Sequence, residues 1–397
     1  MESFVFKTLY RTPIFAALAF SPVTNATSFV DPIDGMLDMG EYLAENAYGF
    51  LPVPVLITEP ALGIGGGMLG VFLHESEEEK EARKKLALAS LEGGANLIPP
   101  AVTVVGGGAT QNGTWFAILG HRRTWNQDSI RYMGGLGYGN AFIDIYADIG
   151  NNSQWIPNQS VSFESDNKGY GGMQNLQFRV SDTPLFLGVS QFWARSEVRS
   201  SNNVINAVLE NTIGLNTTAS GLGLTAEYDT KNSFFFPTDG YSVNAEYMLY
   251  RDAFGSDNSY DMFELSGQSF HPISKDWTLA FAASYESLTK KEAGLLPPLA
   301  KPYVKLRGIS AFRYQDNYVS SIQTQLMWHI DSRWTVSGFV GTGTASREFD
   351  NLYDEAYTAY GTGFRYLIAR RYGIHMGMDF AFSDDDNAFY FNVGSGF

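Results

Sequence analysis

The sequence predicts an all-β fold, a transmembrane antiparallel β-barrel, from an alternating C-terminal segment, repeats of that alternation, and the lack of a long apolar run. In the last nine residues, the apolar side chains share one parity: Phe389, Phe391, Val393 and Phe397. Strand side chains alternate between two faces, so one face of this segment is apolar and the other is small or polar. Outer-membrane barrels commonly end on an aromatic residue. These four residues are therefore predicted to form a C-terminal assembly signal.

The same alternation recurs upstream. Apolar or aromatic residues occupy the odd positions of 277–285, with Trp277 and Tyr285 at its two ends, where aromatic girdles belong. Nine residues at about 3.3 Å each, tilted by roughly 40°, span roughly 20 Å, close to the apolar band of such barrels. Residues 322–330 and 374–382 repeat the pattern. A soluble β-sandwich would explain one such strand, but several that end in aromatic residues favour a wall facing lipid.

Composition agrees with a barrel. Aromatic residues make up 15% of the chain, charged residues 17%, and there are 41 glycines. No apolar run approaches the roughly 20 residues of a transmembrane helix, so a spanning structure must be a closed barrel. The net charge of −15 disfavours nucleic-acid binding, because a phosphate backbone requires a basic surface. The absence of cysteine argues against a disulfide scaffold or a thiolate metal site.

The N-terminus predicts an export signal. Lys7 and Arg11 precede the apolar segment 13–20, and small residues follow up to Ala26. This is the layout of a secretory signal peptide, and the alternative is a short buried helix. The predicted domains are a signal peptide at 1–26, an N-terminal arm or short helix at 27–50, and a transmembrane β-barrel at 51–397. Sixteen strands, at roughly 20 to 25 residues per strand with its connection, use nearly all of the barrel segment.

Two connections stand out. Residues 75–91 are charged and rich in Ala and Leu, which predicts a helix between strands. The segment 289–317 is the longest late connection and contains Pro297, Pro298 and Pro302. Loops of that length in a compact fold are usually functional or disordered.

Two motifs carry a family resemblance. Residues 228–232, followed by Phe-Pro-Thr-Asp-Gly at 236–240, resemble the turn between the eighth and ninth strands of the BamA/TamA superfamily, also called the bacterial surface antigen family. Later in the chain, Leu306-Arg307-Gly308-Ile309 resembles the family's Val-Arg-Gly-Phe loop motif. The resemblance implies a sixteen-stranded outer-membrane barrel whose sixth external loop folds back into the lumen. The family's periplasmic repeats precede the barrel, and none is expected here because strands begin near residue 51.

The chain departs from the family where the loop arginine is held. The resemblance implies two acidic partners, but Gln325 stands at the first position and Gly341 replaces the Asp of a Phe-x-Asp-x-Gly motif. The expected lumen contacts of the loop are therefore Gln325, Phe339, Gly341 and Gly343. A loop lock without acids is expected to be weaker, because charge-assisted hydrogen bonds are about twice as strong as neutral ones.

Arg365 and Asp379 are predicted to form an ion pair in the lumen. A hairpin centred on Tyr372 would place them opposite each other, and such cross-strand pairs contribute roughly 0.2–1 kcal/mol. Asp379 is also an alternative partner for Arg307, but the pair with Arg365 is the favoured interpretation.

Other apparent sites are weak. Residues 65–70 fit a G-x-G-x-x-G pattern but continue into a strand rather than a helix, and the five histidines lack metal-ligand spacing. The acidic segment 383–387 is read as a solvated loop tip rather than a calcium site. No catalytic, cofactor-binding or metal-binding residues are predicted, and the chain is not expected to be an enzyme.

The resemblance implies a factor that inserts or translocates proteins or lipids at the outer membrane of a Gram-negative bacterium. The alternative is a passive, porin-like channel or a structural surface barrel. Expected partners are outer-membrane lipid, the outer-membrane assembly machinery for the chain's own insertion, and a periplasmic partner in place of the repeats. No nucleic-acid partner is expected.

Overall fold

A computed structural model describes residues 29–46, 51–89, 100–149, 159–212, 215–292, 296–297 and 300–396. Within them the chain forms one sixteen-stranded antiparallel sheet, and each strand pairs with the next along the chain. β1 also lies beside β16, so the sheet curls into a nearly closed barrel. The predicted fold class and strand number are confirmed. The predicted signal peptide and Phe397 lie outside the described residues.

The strands begin at Leu51, as the sequence predicts. Their bounds are β1 Leu51–Ile57, β2 Gly65–His74, β3 Ala101–Thr110, β4 Trp115–Trp125, β5 Ile130–Ile149, β6 Gln159–Arg179, β7 Leu185–Ser200, β8 Asn216–Asp229, β9 Gly240–Tyr250, β10 Tyr260–Pro272, β11 Trp277–Lys290, β12 Tyr318–His329, β13 Trp334–Ser346, β14 Tyr357–Ala369, β15 Ile374–Ser383 and β16 Asn387–Val393. We call the end that carries the β1–β2 and β11–β12 connections the loop end, and the opposite end the turn end.

Three α-helices lie in the described connections and before β1. They are α1 Gly40–Asn46, α2 Glu77–Ala89 and α3 Asn203–Thr212. The predicted helix at 75–91 is confirmed as α2, whose start is capped reciprocally: the backbone N–H of Ser76 donates to Glu79 at 2.8 Å, and that of Glu79 donates to the Ser76 hydroxyl at 3.2 Å. None of the described helices is long and apolar enough to cross a membrane.

Alternation along each strand separates a lipid-type outer face from a polar lumen. On β12, Ile322, Leu326 and Trp328 are exposed outward, whereas Gln323 and Gln325 are buried inside. Aromatic rings form a band across β4–β7 near the loop end, where the ring centroids of neighbours lie 5.1, 6.4 and 5.5 Å apart, in the order Trp115, Tyr138, Tyr170 and Trp193. At the turn end, Trp277 and Trp328 stack with centroids 5.8 Å apart.

β16 ends at Val393. Gly394 and Gly396 have positive φ values of 102° and 97°, which turn the chain inward. The carbonyl oxygen of Ser395 then accepts a hydrogen bond from the Gln325 amide at 3.0 Å, inside the lumen. The outward side chains of Phe391 and Val393 are exposed. The role of the C-terminal aromatic row in assembly stays a prediction.

Candidate functional site

The seam between β1 and β16 is the first feature of the candidate site. β1 pairs with β2 without interruption from Leu51–Val71 to Ile57–Gly65, but among the described residues β1 and β16 are not hydrogen-bonded neighbours. β1 contains Pro52 and Pro54, which have no backbone N–H to donate. Prolines in sheets occur on edge strands with the missing donor facing away from the partner. The free edge of β1 is therefore poor in donors.

The loop between β11 and β12, residues 291–317, is the second feature, and we call it the lumen loop. Val304, Leu306 and Ile309 are buried against Val319 and Ala359 of the wall, as the resemblance implies for a loop folded inward. The backbone N–H of Val304 donates to the carbonyl of Tyr314 at 2.9 Å, which closes the loop on itself.

Gly308 of the loop motif is required by its conformation and its surroundings. Its φ is +94°, and a Cβ there would lie 3.1 Å from the Cβ of Ala381 on β15. A larger residue would be strained and would push the loop away from the wall.

Arg307 is the centre of the loop's attachment. Its guanidinium donates to Asp379 at 2.7 Å and to the Gln325 side-chain oxygen at 2.8 Å, and it lies 3.6 Å from the ring centroid of Phe339. Asp379 is fully buried and also accepts two hydrogen bonds of 2.8 Å from Arg365. The expectation that Arg307 has neutral partners alone is therefore corrected. Asp379 serves both arginines, where the sequence offered them as alternatives.

The register of the β14–β15 hairpin differs from the predicted one. Arg365 pairs with Gly377, and Asp379 pairs with Gly363, because a bulge near Ala369 and a 3-10 turn at Arg370–Tyr372 shift the strands. Arg365 and Asp379 are diagonal neighbours across the ladder. Long side chains still reach each other at diagonal positions, so the ion pair forms.

Gly341 and Gly343 line the lumen beneath the apolar side of the loop rather than beside Arg307. A Cβ at Gly341 would lie 2.9 Å from a methyl carbon of Leu306, and one at Gly343 would lie 3.4 Å from the other. Gly341 stands where the Phe-x-Asp-x-Gly motif has its Asp, and Leu306 occupies the space that a side chain at this position would take.

The lumen loop is also bonded to the β15–β16 hairpin. The N–H of Gly308 donates to the hydroxyl of Tyr390 at 3.0 Å, the Ser383 hydroxyl donates to the Gly308 carbonyl at 2.8 Å, and the Ser310 hydroxyl donates to Asp386 at 2.8 Å. On the β1 side, the N–H of Ala311 donates to Glu59 at 3.1 Å. The loop therefore bridges the seam at the loop end and is fastened chiefly to β15–β16.

The β8–β9 turn, residues 230–239, closes part of the lumen at the turn end. Phe236 is buried against Phe270, Ala280 and Met327, and its ring stacks on His375 with centroids 3.8 Å apart. The family-like motif in this turn is held by local hydrogen bonds from the N–H groups of residues 238 and 239 to the side chain of residue 232.

Comparison with known proteins agrees with this geometry. Residues 135–304 match the family model of the Omp85 superfamily domain. This part of the chain is therefore similar to the Omp85 superfamily domain. The predicted resemblance is thereby confirmed.

Solved structures share the barrel fold of this chain. BamA of Haemophilus ducreyi lacking POTRA domains 1–3 matches with a TM-score of 0.55 and 13% identity, over 86% of this chain and 68% of that one. CdiB from Escherichia coli matches with 0.52 and 11%, over 86% and 61%. CdiB from Acinetobacter baumannii matches with 0.52 and 9%, over 87% and 59%. The chain thus spans about three fifths of each CdiB structure. A search of curated protein sequences finds no match.

Sequence reasoning missed two parts of the site in this barrel. One is the burial of Phe236, for which three consecutive phenylalanines in a turn, 234–236, were the available signal. The other is the double use of Asp379, which depends on how far the loop enters the lumen. Within the described part of the chain, no group of three or more His, Cys, Asp or Glu residues is arranged to hold a metal ion.

Proposed function

We propose that this barrel resides in the outer membrane of a Gram-negative bacterium and assists insertion or translocation of proteins or lipids through the β1–β16 seam. The seam is the observation that carries the proposal. The edge strand β16 presents backbone groups that another strand can pair with, which is how extended segments add to sheets. The Omp85 superfamily domain supports the same function.

The attachment of the lumen loop supports a division of roles at the seam. Arg307 and Ser310 fasten the loop to β15–β16 and to its connection, so that side is braced from inside. β1 is a seven-residue strand with two prolines, and Glu59 beyond it bonds the loop through one carboxylate oxygen to Ala311. We expect the β1 side to move when the seam opens.

A passive channel is the second candidate, and the occupied lumen disfavours it. Val304, Leu306 and Ile309 of the lumen loop occupy part of the interior near the loop end, Phe236 enters at the turn end, and residues 394–396 turn inward. A cavity of about 590 Å³ remains beside the loop, lined in part by Glu264, Glu286 and Lys305. The proposed partners are membrane lipid, the cell's own barrel-assembly machinery and a periplasmic protein. The proposal includes no enzymatic step.

Disulfides across the seam test the function, because the chain contains no cysteine. The paired changes Leu56→Cys with Phe389→Cys, and Pro54→Cys with Phe391→Cys, each join outward positions of β1 and β16. Ile322→Cys with Thr342→Cys is the matched control, since these residues face each other in the paired β12–β13 ladder. The readout is the folding rate of a urea-unfolded outer-membrane barrel added to liposomes that contain the protein.

The wild-type protein should accelerate folding, and oxidised seam variants should lose this acceleration by about tenfold, the effect of roughly 1.4 kcal/mol on a barrier. Reductant should restore it, and the oxidised control should stay active. Equal rates for oxidised and reduced seam variants would contradict a role for the seam. No acceleration by the wild-type protein, together with steady conductance in planar bilayers, would favour the channel.

A further inference from the structure

Residues 29–38 form a small hairpin before β1, which we call the arm hairpin. Val30 and Leu37 form an antiparallel bridge, and the N–H of Asp31 donates to the carbonyl of Met36 at 2.9 Å. Gly35, with φ of +72°, makes the turn possible. α1 follows at once, and β1 begins five residues after α1 ends.

One side of the arm hairpin is acidic, and its carboxylates accept hydrogen bonds from arginines of the barrel. Arg333, in the β12–β13 turn, donates to Asp31 at 2.8 Å, to Asp34 at 2.6 Å and to Asp38 at 2.6 Å. Arg370, in the β14–β15 turn, donates to Asp31 at 2.6 Å. The Arg333 side chain is almost fully buried, so these contacts set the orientation of the hairpin on the turn end.

The charged contacts persist at neutral pH. The hydrogen bond from Arg333 lowers the pKa of Asp34 below its ordinary value. Burial acts to raise the pKa of Asp31, but hydrogen bonds from Arg370 and from the backbone of Ile33 outweigh it, and the pKa is lowered. Both carboxylates are therefore ionised and able to hold the arginines.

The opposite face of the arm hairpin carries Val30 and Leu37, which lie across from each other in the bridge and are both 54% exposed among the described residues. Of the ten residues of the hairpin, five are large hydrophobic residues that are 39% to 54% exposed: Phe29, Val30, Ile33, Met36 and Leu37. Ile33 lies in the turn beside this face, and the ring of Phe29 packs against Tyr42 with centroids 5.5 Å apart. Single exposed apolar residues are ordinary, but a contiguous group held rigidly outward marks an interaction surface.

The position of the hairpin identifies what covers that surface. The hydroxyl of Tyr366 donates to the carbonyl of Leu37 at 2.8 Å, and the N–H of Met39 donates to the carbonyl of Ile368 at 2.7 Å. Tyr366 lies on the outer face of β14, with its ring centroid 4.7 Å from that of Trp334 on β13. Tyr and Trp at the end of an outward face mark the boundary between lipid and water. The apolar side of the hairpin therefore continues the girdle at that boundary.

We propose that the arm hairpin docks on the lipid surface of the membrane leaflet at the turn end, with its apolar side chains at the boundary between headgroups and acyl chains. A polypeptide surface with apolar residues on one side and charges on the other binds membranes in this way. The proposal goes beyond insertion or translocation and does not depend on either activity. It gives the hairpin one orientation: carboxylates on Arg333 and Arg370, apolar side chains in lipid.

Depth-dependent quenching tests this docking in the whole barrel, reconstituted in liposomes of phosphatidylcholine alone. Ile33→Cys and Leu37→Cys each carry an environment-sensitive fluorophore as the sole thiol label, since the chain has no cysteine. Leu224→Cys on the outer face of β8 is the control in lipid, and Asp354→Cys in the β13–β14 loop is the control in water. Heat-modifiable migration on gels shows that each variant is folded.

Lipids that carry a spin label near the headgroup should quench the fluorophore at positions 33 and 37 about threefold more than at position 354. A spin label deep in the acyl chain should quench position 224 more than the two arm positions. Quenching at both arm positions equal to that at position 354 would overturn the proposal. That outcome would mean that the surface faces water, since these liposomes contain no second protein.

Discussion

Asp379→Asn is the most informative single change, because one buried carboxylate serves two arginines. Asn keeps the size of the side chain but removes the charge that faces Arg307 and Arg365. Three charge-assisted hydrogen bonds of 2.7–2.8 Å are weakened at once. Asn392 also donates to this carboxylate at 2.7 Å, so the new amide must compete with an existing donor.

The expected loss of stability for Asp379→Asn follows from the number of buried charges that remain. With Asp379 present, two guanidiniums share one buried carboxylate, and without it both cations face each other in a water-poor lumen. Removing one member of a buried ion pair typically costs about 3–5 kcal/mol, and we expect Asp379→Asn to fall in that range. Arg307→Met or Arg365→Met should each cost less, roughly 1–3 kcal/mol, because the remaining arginine still balances the carboxylate.

The measurement is thermal unfolding in detergent, combined with protease cleavage of the lumen loop. Asp379→Asn and Arg307→Met should both expose the loop to protease, whereas Arg365→Met should leave it protected by the Arg307–Asp379 bond. The charge swap Arg365→Asp with Asp379→Arg should not recover stability, because the new arginine would meet Arg307. Recovery by the swap, or a loss for Arg307→Met equal to that for Asp379→Asn, would show that the two arginines do not share the carboxylate.

Three further changes follow from the same structure. Gly341→Asp should loosen the lumen loop, because the new side chain must displace Leu306. Protease should then cleave the loop faster than in wild type, whereas slower cleavage would mean that an acid at position 341 reaches Arg307. Phe236→Ala should lower stability by about 3–5 kcal/mol and raise bilayer conductance, and unchanged conductance would show that the turn does not close the lumen. The pKa values of Asp31 and Asp34 are lowered, so the arm hairpin should stay attached above pH 3.8 and be released only as the pH falls further. A fluorophore at position 37 would report this release, and release near pH 6 would contradict the ion cluster.

The arm hairpin and the lumen loop are both attached to the last strands of the barrel, at opposite ends. The hairpin precedes β1 in sequence but is bonded to Arg333 and Arg370 in the turns of β12–β15. α2, which follows β2, also reaches across: its Lys80 carbonyl accepts from Arg371 at 2.7 Å, and Glu75 accepts from Tyr372 at 3.2 Å.

The sequence by itself determined the barrel and a first strand that begins near Leu51, whereas the number of strands was implied by the family resemblance. These depend on local properties: alternation with period two, aromatic residues at strand ends, and turn chemistry such as that of residues 236–240. The loop motif around Arg307 could be read in the same way, because it is a short segment with a recognisable order of residues.

The tertiary structure alone decided which charges meet. Arg307 and Asp379 are 72 positions apart, and whether they touch depends on how deep the lumen loop sits and on the bulge that shifts β14 against β15. The contacts of Asp31 with Arg333 and Arg370 span still longer separations. Periodicity assigns a side chain to a face of the sheet, but the distance between two side chains on one face is set by register, curvature and loop packing, which no local pattern contains.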